Sequence, residues 1–389
     1  MVNFDKAIER RGTDCVKFDA LKGLYGREDL ISMWIADMDF PVPEEVTAAL
    51  KRRAEHPVYG YNIMPEGYFE DFAAWVKKRH GWEIKPEWTC HTPGVLSALS
   101  AALLSFTAEG DGVLIQPPVY FPFSSTVETL GRKVINNQLI YKDGYFTVDF
   151  DDMEEKAKQA KLFILCSPHN PAGRVWTREE LARMEDICRR NDLLVFSDEI
   201  HADIVYTPAK HIVFAALSDW SREHSIVAMA PSKTFNIAGL GMSFITVPNE
   251  DMRKRFQTLL GGGLHVSGAN AFGIVAAQAA YRHGEAWLEE LLEYLRGNME
   301  LLDRILREHA PQIRVVRSEA TYILFLDVGA LGMTPDELKD FFVNKVGAAL
   351  NVGATFGPGG ESFMRINIAT QRENIRQFAE RLCAAIAAL

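Results

Sequence analysis

Five side chains that could act together in chemistry follow four apolar runs of this sequence. Tyr120, Asn170 and Asp198 each come shortly after one run, and Ser232 and Lys233 come after another. An aromatic ring, an amide, a carboxyl, a hydroxyl and an amine could together bind a charged cofactor and move protons. Each also has a structural explanation, because a lysine after a strand is usually solvated, Asn-Pro is a common turn, and an aspartate at a strand end often caps the next helix.

The four runs predict the strands that position these side chains. They are continuously apolar rather than alternating, which is typical of parallel strands buried on both faces of a sheet. Helix-like segments separate them, and Thr177 with Glu180 forms a capping box at the start of one. The sequence therefore predicts an α/β fold with a mainly parallel sheet. The predicted strands are Val113–Gln116, Leu162–Cys166, Leu193–Phe196 and Ile226–Met229, and the clearest helices are Pro93–Phe106 and Thr177–Asn191.

The pattern of elements changes near Gly284. Residues 51–284 are predicted to form a large domain, and residues 285–389 a smaller α+β domain. Residues 1–50 contain an extended segment, Leu30–Phe40, and are assigned to the smaller domain. The elements predicted in the C-terminal part are a long helix at Ala286–His309, strands at Thr321–Val328 and Phe363–Ala369, and helices from Pro335 and Glu373.

Composition and charge exclude several classes of protein. The 389 residues carry 42 Lys and Arg against 52 Asp and Glu, a net charge of −10, which argues against nucleic-acid and anionic-membrane partners. A hydrophobic content of 48% suits a large core, and no apolar run reaches the ~18–20 residues of a membrane span. The charged amino terminus has no signal-peptide core, and five scattered cysteines without a CxxC pair favour a reducing cytoplasm. The histidines show no metal-ligand spacing, and Gly261–Gly263 is predicted to be a flexible loop.

The order of the five polar side chains along the chain favours a functional site. In open α/β sheets a ligand binds outside the carboxyl ends of the strands, where the first polar residues after each run converge. Pyridoxal phosphate needs an amine for a Schiff base, an acid for its pyridine nitrogen, and donors for its ring oxygen and phosphate. The set supplies each of these groups, so pyridoxal 5′-phosphate is the predicted cofactor.

Several strings of the sequence resemble a known family. SPHNPAGR (Ser167–Arg174), SDEIHAD (Ser197–Asp203) and APSKTFNIAGLG (Ala230–Gly241) resemble the signature of fold-type I pyridoxal-phosphate enzymes, the aspartate aminotransferase superfamily. Others resemble, more narrowly, its MalY/PatB-type cystathionine β-lyase (C–S lyase) branch. These are WIADMDF (Trp34–Phe40), VYGYN (Val58–Asn62), TPGVLSAL (Thr92–Leu99), QPPVYFPF (Gln116–Phe123) and FMRINIA (Phe363–Ala369). The resemblance covers nearly the whole chain and implies a large α/β domain with a mainly parallel sheet plus a smaller α+β domain.

The resemblance implies a role at the cofactor for four side chains. Lys233 forms the Schiff base and, once a substrate amine frees it, is the natural base for the Cα proton; a lowered pKa suits both tasks. Asp198 pairs with the pyridine nitrogen and keeps it protonated. Asn170 donates to the ring oxygen, and Tyr120 stacks on the ring.

The cofactor phosphate is assigned to the start of a helix. The amides of Gly94, Val95 and Leu96 open a predicted helix, and a helix amino terminus is a ready phosphate site. Ser232 adds a hydroxyl to the same phosphate. The resemblance also implies that Tyr61 reaches it across the interface of a homodimer with a shared active site, whereas the residues alone favour a half-buried strand or turn there.

An arginine in the C-terminal part is the predicted substrate contact. Arg365 lies in a strand-like stretch where an unpaired charge is unfavourable, so a carboxylate partner is expected. The resemblance makes that partner the α-carboxylate of a small amino-acid substrate, and a structural ion pair is the alternative. It also implies that Asn170 and Ala36 bind substrate, and many relatives have a glycine at the position of Ala36.

Two positions depart from the aminotransferase pattern. His201 stands where aminotransferases usually have a tyrosine near the ring oxygen, and Gly241 stands where many have an arginine for the phosphate. His201 is counted as cofactor-binding, with simple packing as the alternative. The missing arginine leaves the phosphate to the helix start, Ser232 and Tyr61. Both departures fit the lyase branch better than the transaminases.

The resemblance implies β-elimination from L-cystathionine or related S-substituted cysteines, which yields a thiol such as homocysteine, pyruvate and ammonia. Two alternatives stay open at this point. One is a class I/II aminotransferase, and the other is a cofactor-holding protein with a regulatory contact role. The presence of Lys233, Asp198, Asn170 and Arg365 disfavours the second alternative without excluding it.

Overall fold

A computed structural model describes residues 2–389, which form fifteen α-helices and fifteen strands. The helices are α1 Val16–Asp19, α2 Leu21–Tyr25, α3 Glu44–Glu55, α4 Tyr68–His80, α5 Val95–Phe106, α6 Pro122–Thr129, α7 Phe150–Ala157, α8 Arg178–Arg190, α9 Asp219–Glu223, α10 Pro231–Thr234, α11 Glu250–Thr258, α12 Ala271–His283, α13 Glu285–His309, α14 Pro335–Asp340 and α15 Arg372–Ala387. The strands are β1 Ile31–Ser32, β2 Thr89–Thr92, β3 Gly112–Ile115, β4 Lys133–Asn136, β5 Ile140–Lys142, β6 Tyr145–Thr147, β7 Leu162–Cys166, β8 Leu194–Asp198, β9 Ser225–Met229, β10 Ser243–Thr246, β11 Arg314–Val315, β12 Ile323–Asp327, β13 Ala348–Ala349, β14 Asn351–Val352 and β15 Phe363–Asn367.

Seven strands form the central sheet, in the order β2-β10-β9-β8-β7-β3-β4. The run from β9 to β4 is parallel throughout, whereas β10 is antiparallel to both of its neighbours. Every residue of β3, β7, β9 and β10 is buried, as expected for strands covered on both faces. The predicted α/β fold with a mainly parallel sheet is confirmed, and the four predicted strands match β3, β7, β8 and β9 to within two residues.

Helices cover both faces of this sheet and form a separate apolar core on each. On one face α5 and α6 bury Leu99 and Phe123 against the strands, and on the other α8 buries Leu181. The predicted capping box starts α8: Thr177 Oγ1 accepts from Glu180 N at 3.1 Å, and Glu180 Oε2 accepts from Thr177 N at 2.8 Å. Local sequence signals therefore fix where this helix begins.

The C-terminal part builds a second, smaller sheet. Strands β11, β12, β15 and β14 form it in that order, and all of its pairs are antiparallel. The helix α13 packs against α15 and β11, and the elements predicted for this part are all present. β1 pairs in parallel with β13, Ile31 opposite Ala348, so the N-terminal segment contacts the C-terminal part. The division of the chain at residues 50 and 284 stays a prediction.

Two local predictions need correction. Leu30–Phe40 is extended only at β1, and residues 34–40 are irregular because their carbonyl groups bond to side chains instead of to a neighbouring strand. Gly261–Gly263 is not a flexible loop, since it belongs to the π-helical turn Leu259–Gly263 that continues α11. Buried Leu260 anchors this turn, and Leu264 N donates to Leu259 O at 2.8 Å. Within residues 2–389 the helices are too short or too polar to cross a membrane.

A buried ion cluster holds the N-terminal segment in place. Lys17 is fully buried, and its Nζ lies 3.0 Å from Asp39 Oδ1 and 3.6 Å from Asp37 Oδ1. Arg10 also bonds both carboxylates, each at 2.6 Å. Two cations and two anions therefore balance one another, which a buried charge requires.

We expect Asp39→Ala to lower the free energy of unfolding by about 3 kcal/mol, because it leaves the buried ammonium of Lys17 without its nearest counter-charge. Urea unfolding of the full-length chain measures this loss. Asp29→Ala is the matched control, since Asp29 pairs with Arg27 at 2.7 Å on the exposed surface and its removal should have a far smaller effect. Equal destabilisation by the two variants would contradict the prediction.

Candidate active site

The carboxyl ends of neighbouring parallel strands bring the predicted side chains together. Asn170 follows β7, Asp198 ends β8, Ser232 and Lys233 lie on α10 just after β9, and Tyr120 follows β3. The four strands are adjacent in the sheet. All five residues line one cavity of about 220 Å³, here called the inner cavity. The order of the strands thus assembles the site in the way that the sequence predicts.

The amine of Lys233 is desolvated and bonded to a backbone carbonyl. Its Nζ donates to Ala36 O at 2.7 Å, and the hydroxyl of Tyr322 donates to the same oxygen at 3.1 Å. Burial lowers the pKa of Lys233 from 10.5 to about 8, although the carboxylates of Asp37 and Asp198 oppose this change. Part of the amine is therefore neutral near physiological pH, which a nucleophile or a base requires.

A carboxyl and an amide face the inner cavity with unused hydrogen-bonding capacity. Asp198 is buried, and its Oδ1 accepts from Ile200 N at 3.1 Å. Burial raises the pKa of Asp198 from 3.8 to about 7. The Oδ1 atom of Asn170 is buried without a partner. Because buried polar groups are normally paired, this arrangement indicates a ligand that supplies the missing partners.

Arg365 lies on the wall of a second cavity of about 810 Å³, here called the outer cavity, which adjoins the inner one. Its Nη2 donates to Trp34 O at 2.9 Å and to Asn351 Oδ1 at 2.8 Å, whereas its Nη1 is buried without a partner. Burial lowers the pKa of Arg365 to about 10. Its bonded partners are neutral, unlike those of a structural ion pair, so Nη1 can donate to a carboxylate ligand.

The start of α5 lines the inner cavity with backbone N–H groups. This helix begins at Val95 rather than at the predicted Pro93, and Gly94 before it is extended. Gly94, Val95 and Leu96 line the cavity together with Ser232, and a Cβ added at Gly94 would meet no atom within 4 Å. The first N–H groups of a helix have no intrahelical partner and carry positive potential, so an anion can bind there.

Gly241 stands where many aminotransferases have an arginine, and the backbone conformation at this position suits glycine. Gly241 has a left-handed conformation with φ of +60°, and a Cβ there would lie 3.4 Å from Pro93 O. A longer side chain is therefore disfavoured at this position. Within residues 2–389 no arginine lines the inner cavity.

Three other residues that are predicted to bind the cofactor lie at different places relative to the two cavities. His201 lines the inner cavity with its Nδ1 unpartnered, and its ring lies edge-on to Tyr322 at 6.0 Å. Burial lowers the pKa of His201 to about 3, so its ring is neutral. Tyr120 lines both cavities, and its ring lies edge-on to Phe123 at 5.6 Å. Tyr61 lines neither cavity and is fully exposed on the single chain. The cofactor contacts of all three stay predictions.

Sequence reasoning singled out the string Trp34–Phe40 but missed how this segment, which frames the outer cavity, is held in place. Residues 34–40, here called the 34–40 segment, have no regular secondary structure, and side chains donate to every one of their carbonyl groups. The donors are Arg365 to Trp34, Asn367 to Ile35 and Asp37, Lys233 and Tyr322 to Ala36, Lys17 to Asp37, Arg10 and Asn236 to Met38, Gln371 to Asp39, and Asn236 to Phe40. Asn236 and Asn367 lie inside the quoted strings APSKTFNIAGLG and FMRINIA, and an amide in an apolar stretch is the signal that could have found them.

We expect Asp198→Asn to stabilise the cofactor-free protein more as the pH rises from 3.8 to about 7. A carboxyl whose folded pKa is raised above its unfolded value opposes folding wherever the unfolded chain ionises it, so the difference is absent below 3.8, grows as the pH rises and is complete above about 7. Thermal unfolding of both proteins across this range measures the difference. Asp186→Asn is the control: a hydrogen bond from Arg189 holds the pKa of Asp186 below its usual value of 3.8, so the effect of this substitution should stay nearly constant across the range. A pH-independent difference for Asp198→Asn would contradict the prediction.

Comparisons with known proteins agree with this geometry. A family model described as aminotransferase class I and II matches residues 28–382. The cystathionine β-lyase PatB of Bacillus subtilis (strain 168) is 42% identical over 388 residues, which cover 99% of this chain and 100% of that protein. The structure of cystalysin from Treponema denticola, which contains pyridoxal 5′-phosphate, aligns with a TM-score of 0.96 and 34% sequence identity. The alignment covers 100% of this chain and 99% of the cystalysin chain.

The pyridoxal-phosphate-bound C–S lyase from Staphylococcus hominis is a further similar structure. It aligns with a TM-score of 0.91 and 35% identity, over 98% of this chain and 97% of its own. The resemblance to the fold-type I superfamily and to its lyase branch is confirmed. The chain belongs to the aminotransferase class I and II family.

Proposed function

We propose that this protein is a pyridoxal-phosphate-dependent carbon–sulfur β-lyase. Its substrates are L-cystathionine and related S-substituted L-cysteines, and its products are a thiol, pyruvate and ammonia. The observation that carries the proposal is the meeting of Lys233, Asp198, Asn170 and Arg365 at two joined cavities, in a chain that is 42% identical over its length to a protein named cystathionine β-lyase. All five cysteines are free thiols, which supports the cytoplasm as the place of action.

The residues of the inner cavity fit pyridoxal phosphate. Asn170 has a buried Oδ1 without a partner, Asp198 presents a buried carboxyl to the cavity, and the space over Gly94 is open, so this cofactor would contact all three. Lys233 would hold it covalently, Asp198 at the pyridine nitrogen, and Ser232 with the start of α5 at the phosphate. When bound, pyridoxal phosphate supplies an electron sink for the substrate Cα.

Lys233 is suited to move the proton of the substrate Cα. Because its pKa is lowered to about 8, the free amine can accept that proton at neutral pH. The ammonium that results has an acceptor in place, since Ala36 O already bonds Nζ at 2.7 Å. Asp198 as a carboxylate stabilises positive charge on the group that it faces.

Arg365 orients the substrate by its α-carboxylate. Trp34 O and Asn351 Oδ1 fix Nη2 of the guanidinium, so Nη1 is presented in one direction. A carboxylate there places the Cα toward Lys233, because both residues line the outer cavity.

The outer cavity offers an apolar wall to the thioether chain of the proposed substrates. Its wall includes the apolar side chains of Val16, Val42 and Phe121. The other arginine on this wall, Arg10, is already bonded to two carboxylates. Arg365 is therefore the arginine on the described wall that can bind a substrate carboxylate, as its proposed role at the α-carboxylate requires.

We expect purified protein with cofactor to release pyruvate from L-cystathionine, and Lys233→Ala to lower this rate by at least about 100-fold because the proton-transferring amine is lost. A coupled pyruvate assay measures the rate, and visible absorbance measures bound cofactor. Lys210→Ala, which removes an exposed lysine, is the matched control and should keep full activity. Amino transfer to a keto acid that is much faster than pyruvate release would establish the aminotransferase instead.

We also propose that the enzyme is a homodimer and that Tyr61 completes the site of the partner subunit. Tyr61 and Ile63 are 111% and 85% exposed, and Val58 and Tyr59 beside them are exposed too. An exposed apolar segment of this kind is typical of an interaction surface. A phenol brought to the start of α5 would add a donor where no arginine is present.

Mixing two inactive variants tests the shared site. Dimers of Lys233→Ala and dimers of Tyr61→Ala should each be impaired, whereas a mixed dimer has one intact site and should recover about half the wild-type activity. Unfolding and refolding equal amounts of the two variants together makes about half of the dimers mixed, so the pyruvate assay on the whole mixture should return about a quarter of the wild-type activity. If Tyr61 served its own chain, every site of the mixed dimer would be defective and no activity would return.

A further inference from the structure

A buried carboxylate behind the inner cavity joins α4 to α10. Asp203 Oδ1 accepts from Trp75 Nε1 at 3.0 Å and lies 3.0 Å from His80 Nε2, both on α4. Its Oδ2 accepts from Thr234 Oγ1 at 2.8 Å. Thr234 is the last residue of α10 and directly follows Lys233. One side chain thus ties the helix that carries Lys233 to the body of the fold.

Asp203 belongs to the turn of residues 199–204, which directly follows Asp198. At the start of this turn, buried Glu199 lies 2.6 Å from His211 Nε2 and accepts from Phe214 N at 3.0 Å. At its end, Asp203 is held by α4. Burial disfavours the charge of Asp203, but the hydrogen bonds from His80 and Thr234 outweigh this effect and hold its pKa below the usual value. Both ends of the turn are fixed, so Asp203 keeps a constant position relative to Asp198.

Thr234 bonds Asp203 from a helix that is too short to be stable by itself. α10 has only four residues, and one isolated helical turn is not stable without tertiary contacts. Lys233 lines the inner cavity, whereas Thr234 is buried outside both cavities. Its bond to Asp203 is therefore a tertiary bond that fixes the residue next to Lys233.

We propose that Thr234 and Asp203 are positioning residues that set the place of the Lys233 amine relative to Asp198. The inference rests on the proposed function, in which Lys233 holds the cofactor and moves the substrate proton. Neither residue lines the inner or the outer cavity, so both act through Lys233. The bond joins the segments that leave β8 and β9, and these segments carry the two groups whose separation matters for the reaction.

Substitution of Thr234 changes no charge near Lys233. The titratable groups that face its amine are Asp37 and Tyr322, Asp198 and His201, Arg365, and Tyr120 across the shared cavity. All of them remain when the threonine hydroxyl is removed. A changed titration of Lys233 in such a variant therefore reports a displaced amine.

The experiment compares hydroxyl-free and hydroxyl-bearing variants of the full-length, cofactor-loaded enzyme. Thr234→Val and the smaller Thr234→Ala remove the donor to Asp203, and Thr234→Ser keeps it. Thr246→Val is the matched control, because Thr246 is equally buried, bonds Thr89 Oγ1 at 3.1 Å and lies outside both cavities. The measurements are the pH midpoint of the visible absorbance, kcat and KM for L-cystathionine, and the melting temperature.

Loss of the hydroxyl at Thr234 should shift the absorbance midpoint by about 0.5 pH units or more. It should also lower kcat about tenfold while KM changes less than about twofold. Thr234→Ser should restore wild-type values, and Thr246→Val should lower only the melting temperature. Midpoints and kcat values that are unchanged in Thr234→Val and Thr234→Ala, or changed equally in Thr246→Val, would overturn the inference.

A second readout separates this inference from the proposed function. If the protein bound no cofactor, the proposed function would fail, but the amine of Lys233 could still be titrated in the same full-length chain. Acylation of Lys233 by acetic anhydride, followed by mass spectrometry over a pH series, should give a midpoint of about 8 in the wild type. The same midpoint in Thr234→Ala would show that Thr234 does not position the amine.

Discussion

Removing an ammonium, a carboxylate and a guanidinium from water at one site is the constraint on which the rest of this structure depends. Burial displaces the pKa of Lys233, Asp198 and Arg365 toward the neutral form in each case. Desolvation thus outweighs the attraction between them, and the same displacement brings the amine and the carboxyl toward the pH range in which they can exchange protons. The surrounding fold must hold these groups rigidly without neutralising them.

The 34–40 segment meets much of this requirement with neutral oxygens. A carbonyl acceptor can bond an ammonium or a guanidinium and still leave its charge available to a ligand, which a carboxylate would cancel. Trp34 O and Ala36 O do this for Arg365 and Lys233. The segment is held in turn by amides from both sides, Asn236 after α10 and Asn367 in β15. The large sheet, the small sheet and the N-terminal residues therefore meet along a single stretch of backbone.

The sequence was most informative where local pattern and buried strands coincide. Continuous apolar runs predicted β3, β7, β8 and β9, and the order of these strands was enough to place Asn170, Asp198 and Lys233 at one cavity. It was least informative where a contact joins distant parts of the chain. Asn367 bonds Asp37 across 330 residues, and no local signal indicates that pairing. The π-helical turn at Gly261–Gly263 was missed for a related reason, since buried Leu260 rather than the glycines determines its shape.

The 34–40 segment bonds its partners through main-chain oxygens. Its side chains can therefore differ without changing the geometry that these oxygens provide. An alanine and a glycine at position 36 present the same carbonyl to Lys233, so exchange between them during evolution leaves this acceptor intact. The position of this acceptor therefore depends on the path of the backbone and on the distant amides of Asn236 and Asn367 that hold it. A change of either asparagine therefore disturbs the acceptors of the site more than a change of the side chain at position 36, although neither asparagine reaches the inner cavity.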